Sequence, residues 1–235
     1  MKKTTNGKIT KGIAIVFGLF LILAAKNAGA ALFDTDIVGR AAETSFTAML
    51  KALPAKVTLD DSLGVWVLTA PDGSATFAWR RDARDGRALD AWLRFDAKPF
   101  RDAGLDLSKM PAGTVDGDEI VLGSRLSQKA LSYEGEVTPE ASFSQVVKLD
   151  RDLIGYHAAL DHYGMTLSEG TIFEWAKDMS KNDKDIVFVL NPKPFLDAGV
   201  DPAKVEGWVF AKVPVEDERG RKYEADKFLK PFNLK

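Results

Sequence analysis

Lys98-Pro99-Phe100-Arg101-Asp102-Ala103-Gly104-Leu105-Asp106 returns 95 residues later as Lys193-Pro194-Phe195-Leu196-Asp197-Ala198-Gly199-Val200-Asp201. Seven of the nine positions are identical, and Lys109 and Lys204 keep the same offset. Upstream, Phe77, Trp79 and Asp82 match Phe173, Trp175 and Asp178 at offset 96. Further back, Glu43, Ser45, Phe46 and Lys51 match Glu140, Ser142, Phe143 and Lys148 at offset 97. Three separated blocks in one order, with the offset drifting by one residue in polar stretches, define a duplicated unit. The copies span residues 38–126 and 139–235, and residues 127–138 form the linker.

The repeated block reads as a short helix. Proline suits its first turn, Gly104 and Gly199 suit a left-handed stop, and Phe100 and Phe195 pin it to a sheet. Each copy opens on a longer helix, with Phe46, Met49, Leu50 and Leu53 at helical spacing, as are Phe143, Val146 and Val147. Pro54 ends the first of these early. In the second copy the same pattern is expected to continue through Leu153, Ile154 and Ala158 to a stop at Gly164. A hairpin follows, turning at Pro71-Asp72-Gly73 in one copy and Glu169-Gly170 in the other. The next strand alternates in copy one, with Leu89, Ala91, Leu93 and Phe95 inward and Asp90, Trp92, Arg94 and Asp96 on a wetter face. In copy two it is apolar throughout, Ile186 to Leu190, as befits a deeper position. Further strands are expected at 118–122, 208–213 and 221–225. The class is α+β, two tandem helix-plus-antiparallel-sheet units, and the pattern fits one shared sheet as well as two.

Residues 1–30 read as an address. Lys2, Lys3, Lys8 and Lys11 precede the fourteen-residue small or apolar run Gly12–Ala25, and Ala28-Gly29-Ala30 has the small-x-small form of a cleavage site. A spanning helix needs about 20 apolar residues, so a cleaved signal peptide ending at Ala30 is favoured over a retained anchor. The expected location is the periplasm or the cell exterior. The chain has 235 residues and no cysteine, which excludes a lipid-bearing cysteine, thiolate catalysis and a disulfide scaffold. It holds 32 basic and 34 acidic residues, and removing the first thirty takes away five lysines and no acid, leaving a net charge of −7. Nucleic acid is not an expected partner of so acidic a chain. The lysines at 222, 227, 230 and 235 alternate with acids and read as a solvated mixed-sign surface.

No nucleophile elbow, zinc-protease motif, phosphate loop or dinucleotide fingerprint occurs. His157 and His162 are the only histidines. On the expected helix they lie roughly 140° apart, so they do not make a metal pair. His157 one turn before Asp161 gives the weaker alternative of a hydrolase built on a His–Asp pair. The stretch 178–185 resembles the start of a calcium loop but lacks its glycine and glutamate. No catalytic residue, cofactor or metal ligand set is therefore assigned. Trp79, Trp175, Phe100 and Phe195 read as core. Trp92, Trp208 and Arg94 are the candidate interaction surface, because an aromatic flanked by charge suits a protein contact or a sugar platform. The expected function is an exported, non-catalytic protein that binds another macromolecule, the partner being an envelope or extracellular protein. The alternative is a small-ligand or cation-binding protein using the cleft between the copies.

Overall fold

The computed structural model describes residues 20–21, 35–52, 56–81, 90–124, 138–149, 153–157, 161–178, 186–216 and 221–232. A two-residue strand β1 (Phe20–Leu21) precedes the first copy. That copy runs α1 (Thr35–Ala52), β2 (Val57–Asp60), β3 (Val65–Thr69), β4 (Ala75–Arg80), β5 (Ala91–Asp96), α2 (Lys98–Asp102), β6 (Val115–Asp116) and β7 (Glu119–Ser124). The second runs α3 (Pro139–Leu149), β8 (Ile154–His157), β9 (His162–Thr166), β10 (Ile172–Ala176), β11 (Ile186–Leu190), α4 (Lys193–Asp197), β12 (Val209–Glu216) and β13 (Lys222–Phe232). The linker 127–138 lies outside the described residues except for Thr138.

The copies form separate antiparallel sheets of one topology, β2-β3-β4-β5-β7-β6 and β8-β9-β10-β11-β13-β12. In each, a four-strand meander is followed by the short helix and a hairpin whose second strand returns beside the fourth. β1 adds a parallel pairing at the β12 edge, Phe20 with Val215 and Leu21 with Glu216. The topological counterpart of β7 is thus β13, and that of β12 is the two-residue β6.

The second copy's opening helix is there, but its expected continuation toward Gly164 is not. α3 stops at Leu149, and Ile154–His157 and His162–Thr166 pair as the antiparallel strands β8 and β9. Ile154 and Tyr156 alternate with Gly155 and His157, and Tyr163 and Met165 with His162 and Gly164. That period of two, with β-favouring side chains and Asp161 at φ 55° in the turn, overrides the helical spacing. The β8–β9 pair gives the second copy the same meander as the first.

A pseudo-twofold relation organises the junction, because equivalent residues meet across it. Phe46 on α1 stacks on Phe143 of α3 at 3.5 Å, Phe77 on Phe173 at 3.7 Å, and Phe100 lies 4.8 Å from Phe195. Hydrogen bonds are exchanged in kind. The Asp106 N–H donates to Ala198 O at 2.9 Å and the Asp201 N–H to Ala103 O at 2.8 Å. Ser45 Oγ donates to Ala176 O at 2.8 Å, and Ser142 Oγ to Arg80 O at 3.0 Å. Gly104 (φ 105°) and Gly199 (φ 100°) face each other so closely that a Cβ on Gly104 would lie 2.8 Å from Gly199 O. Glycine is required here for the left-handed backbone and for the approach. The helices are crossed over: α1 packs on α3 and on β8 of the second sheet, and α3 packs on β4 of the first. Trp79, Trp175, Phe100 and Phe195 are all 0–1% exposed in the resulting common core. The junction is isologous, as in a twofold dimer, but within one chain.

Candidate functional site

Symmetry fails at one end of this junction, and a cleft of ≈ 450 Å³ opens there. Its first-copy wall is the β3–β4 turn, carrying Asp72, together with Asp96 and Pro99 at the start of α2. Its second-copy wall is the Glu206-Gly207-Trp208 turn before β12, with Lys230 from β13. At the constant offset of 95, Glu206 and Trp208 stand where copy one has Pro111 and Gly113. Lys230 pairs with Phe188 in the second sheet as Leu122 pairs with Leu93 in the first. A lysine therefore occupies an inward register position that belongs to leucine in the other copy.

Lys230 is 7% exposed, between the inward Phe228 and Phe232, rather than on the solvated surface expected from its charged neighbours. Burying an ammonium is unfavourable without partners. Its Nζ lies 3.3 Å from Asp72 Oδ2, 3.5 Å from Gly207 O and 5.7 Å from the centre of the Trp208 ring. Asp72 Oδ1 accepts from the Ser74 N–H at 3.0 Å. Partial burial pushes the Asp72 carboxyl up, but the Ser74 hydrogen bonds and the Lys230 charge outweigh it and hold it below the usual range. Asp96 Oδ1 accepts from the Lys98 N–H at 2.7 Å, which fixes the carboxylate at the helix start. Glu206 is exposed. Among the described residues neither Asp96 nor Glu206 has a cationic side chain within 4 Å, and the Lys98 charge acts on Asp96 only at longer range, so the site presents a neutralised Lys230–Asp72 floor under two carboxylates without a salt bridge.

Of the expected interaction surface, the structure places only Trp208 here, half-buried, 5.0 Å from Phe95 and 5.4 Å from Phe100. Trp92 and Arg94 lie on the opposite face of the first sheet. Trp92 is 9% exposed, not wet, because Val65, Ala78 and Val121 of neighbouring strands pack around it. Arg94 is held by Glu119 at 2.5 Å and Asp116 at 3.0 Å. The three residues do not form one surface.

The histidines also meet differently from the helical expectation. His157 and His162 are cross-strand partners, and their Nδ1 atoms lie 3.5 and 3.4 Å from Oε2 of Glu174 on β10. All three side chains are at least 96% buried. Burial pushes the Glu174 carboxyl up, but the hydrogen bonds and charges of the two histidines prevail and hold it below the usual carboxylate range. Asp161 instead accepts from Tyr156 Oη at 2.6 Å and lies 3.7 Å from Lys177 Nζ. That hydrogen bond raises the Tyr156 phenol to about 12. Sequence reasoning missed Glu174, although one acid inside Ile172-Phe173-Glu174-Trp175-Ala176 already demanded a buried partner. Among the described residues no His, Asp and Glu group has metal-holding geometry, and 179–185 of the calcium-like stretch lie outside them.

Compared with known proteins, the chain matches no family model and shows no significant similarity to a curated protein or a solved structure.

Proposed function

We propose that this chain is an exported, non-catalytic binding protein that holds a segment of another macromolecule in the cleft between its two copies. The observation that carries the reading is the localised break in symmetry. The duplicated packing is kept in aromatic rings, serines and glycines, yet Pro111, Gly113 and Leu122 are answered at the cleft by Glu206, Trp208 and Lys230. Stability alone gives no reason to put a lysine in a leucine position, since buried ion pairs are often matched or bettered by apolar side chains. Departures from the stable choice are expected at functional sites. The basic, apolar and small-residue segments of 1–30 support export, and among the described residues no helix is long and apolar enough to cross a membrane. The partner is an envelope or extracellular protein.

The test is photo-crosslinking in the native envelope, with the crosslinking amino acid placed at exposed Glu206 and, as a control, at exposed Tyr223. The expected result is one adduct from position 206, absent from 223 and lost when a second, unlabelled copy of the chain is added in excess. Equal adducts from both positions, or none from 206, would overturn the cleft as the binding site. Turnover of any substrate by the purified chain, abolished by His157→Ala, would restore the hydrolase alternative.

A further inference from the structure

We infer that the ligand of this cleft is a peptide segment carrying an arginine, a deeper statement that rests on the cleft being the binding site. Two independent features of the cavity ask for complementary groups. On the rim, Asp96 and Glu206 are carboxylates with no cation within 4 Å among the described residues, one fixed by its bond to the Lys98 N–H, with the Lys98 charge at longer range, and the other exposed. On the floor, the Lys230 ammonium has three N–H groups and, among the described residues, two protein acceptors near it, Asp72 Oδ2 and Gly207 O, at the long distances of 3.3 and 3.5 Å. Bonds this long let the ammonium turn toward a ligand acceptor as well.

A ligand that satisfies both must present a cation outward and an acceptor inward. An arginine residue does so. Its guanidinium spans two carboxylates through its planar fork of five N–H donors and lies over an indole ring, here Trp208. Its own backbone carbonyl, or that of a neighbour, accepts from Lys230. A simple metal ion carries no acceptor with which to answer Lys230. An anionic ligand answers Lys230 but meets Asp96 and Glu206. The sign of the whole chain agrees, since beyond residue 30 it carries a net charge of −7, which draws basic partners in.

The experiment is calorimetric titration of the intact secreted chain with blocked glycine–arginine–glycine, with its citrulline counterpart (the same shape without the charge), and with glycine–glutamate–glycine. The expected result is binding of the arginine peptide, weakened about tenfold or more in the citrulline peptide and undetectable for the glutamate peptide. Glu206→Gln and Asp96→Asn each weaken it by roughly 2–5-fold, as exposed charge pairs do, and added salt weakens it further. Lys230→Met removes the carbonyl contact shared by both peptides but also frees the Asp72 carboxylate, so it weakens the citrulline peptide more than the arginine peptide. Asn keeps the capping oxygen at position 96 and Glu206 is exposed, so both variants fold.

Equal binding of arginine and citrulline peptides, abolished by Lys230→Met, would overturn the arginine while leaving the cleft in place. Arginine-peptide binding indifferent to all three variants would overturn the site assignment. No binding of any peptide alongside a specific adduct from position 206 would overturn the ligand class alone. No binding and no adduct would overturn the functional reading with it.

Discussion

Gly104→Ala isolates the contact on which the two-copy packing rests. Two effects add. An L side chain at φ 105° is strained by roughly 1–3 kcal/mol. The new Cβ would also stand 2.8 Å from the Gly199 carbonyl oxygen, a backbone atom that retreats only if the two copies part. Overpacking of that kind costs about 1–3 kcal/mol, so the total is about 4 kcal/mol. Gly113→Ala supplies the strain alone, with φ 80° and open space around the Cβ, and costs about 1–2 kcal/mol. Gly199→Ala, with its nearest neighbour at 3.1 Å, falls between. In a folded chain of this size one kcal/mol moves Tm by about 2–4 °C. Gly104→Ala then loses about 8–16 °C in a calorimetric or circular-dichroism melt, against about 2–8 °C for Gly113→Ala. Losses at 104 and 113 that agree within about 0.5 kcal/mol in denaturant titrations would refute the close approach of the two turns.

Lys230→Leu, which gives the second copy the residue of the first, is expected to stabilise the fold by about 1–2 kcal/mol in a urea titration while weakening ligand binding. The Glu174 carboxyl, held below its ordinary range in the folded chain, contributes stability above the ordinary carboxylate pKa and loses it as pH falls through the lowered value. Glu174→Gln should therefore cost about 3 kcal/mol near pH 6, and the gap to the unaltered chain should narrow in melts taken at successively lower pH below the ordinary carboxylate range. N-terminal sequencing of the chain recovered from its native envelope should begin Ala31-Leu32-Phe33, and recovery of Met1 would show the apolar segment retained.

The duplication was readable because glycine, proline and aromatic residues recur at fixed offsets, and each has a local reason to be where it is. Gly104 and Gly199 could be assigned left-handed turns from sequence, but their mutual contact belongs to the junction and has no local signal. The helix expected through Ile154 and Ala158 failed because short apolar runs fit both periods. Seen in alternation, Ile154, Tyr156, Tyr163 and Met165 all face the core. Lys230 looked solvated beside Glu224, Asp226 and Lys227. Its true position follows only from the strand period, since Phe228 and Phe232 flank it on the same face. Trp92 looked exposed because Arg94 and Asp96 share its face, whereas its cover comes from Val65 and Val121, distant in sequence. The cleft itself needed both copies in place.

Fluorine NMR of the chain with its five tryptophans replaced by 5-fluorotryptophan tests the central claim most directly. On adding the blocked arginine peptide, the resonance assigned to Trp208 by its loss in Trp208→Phe should shift, and those of Trp79, Trp92 and Trp175 should stay. A shift of the Trp92 resonance with Trp208 unmoved would place binding on the opposite face of the first sheet and contradict the cleft.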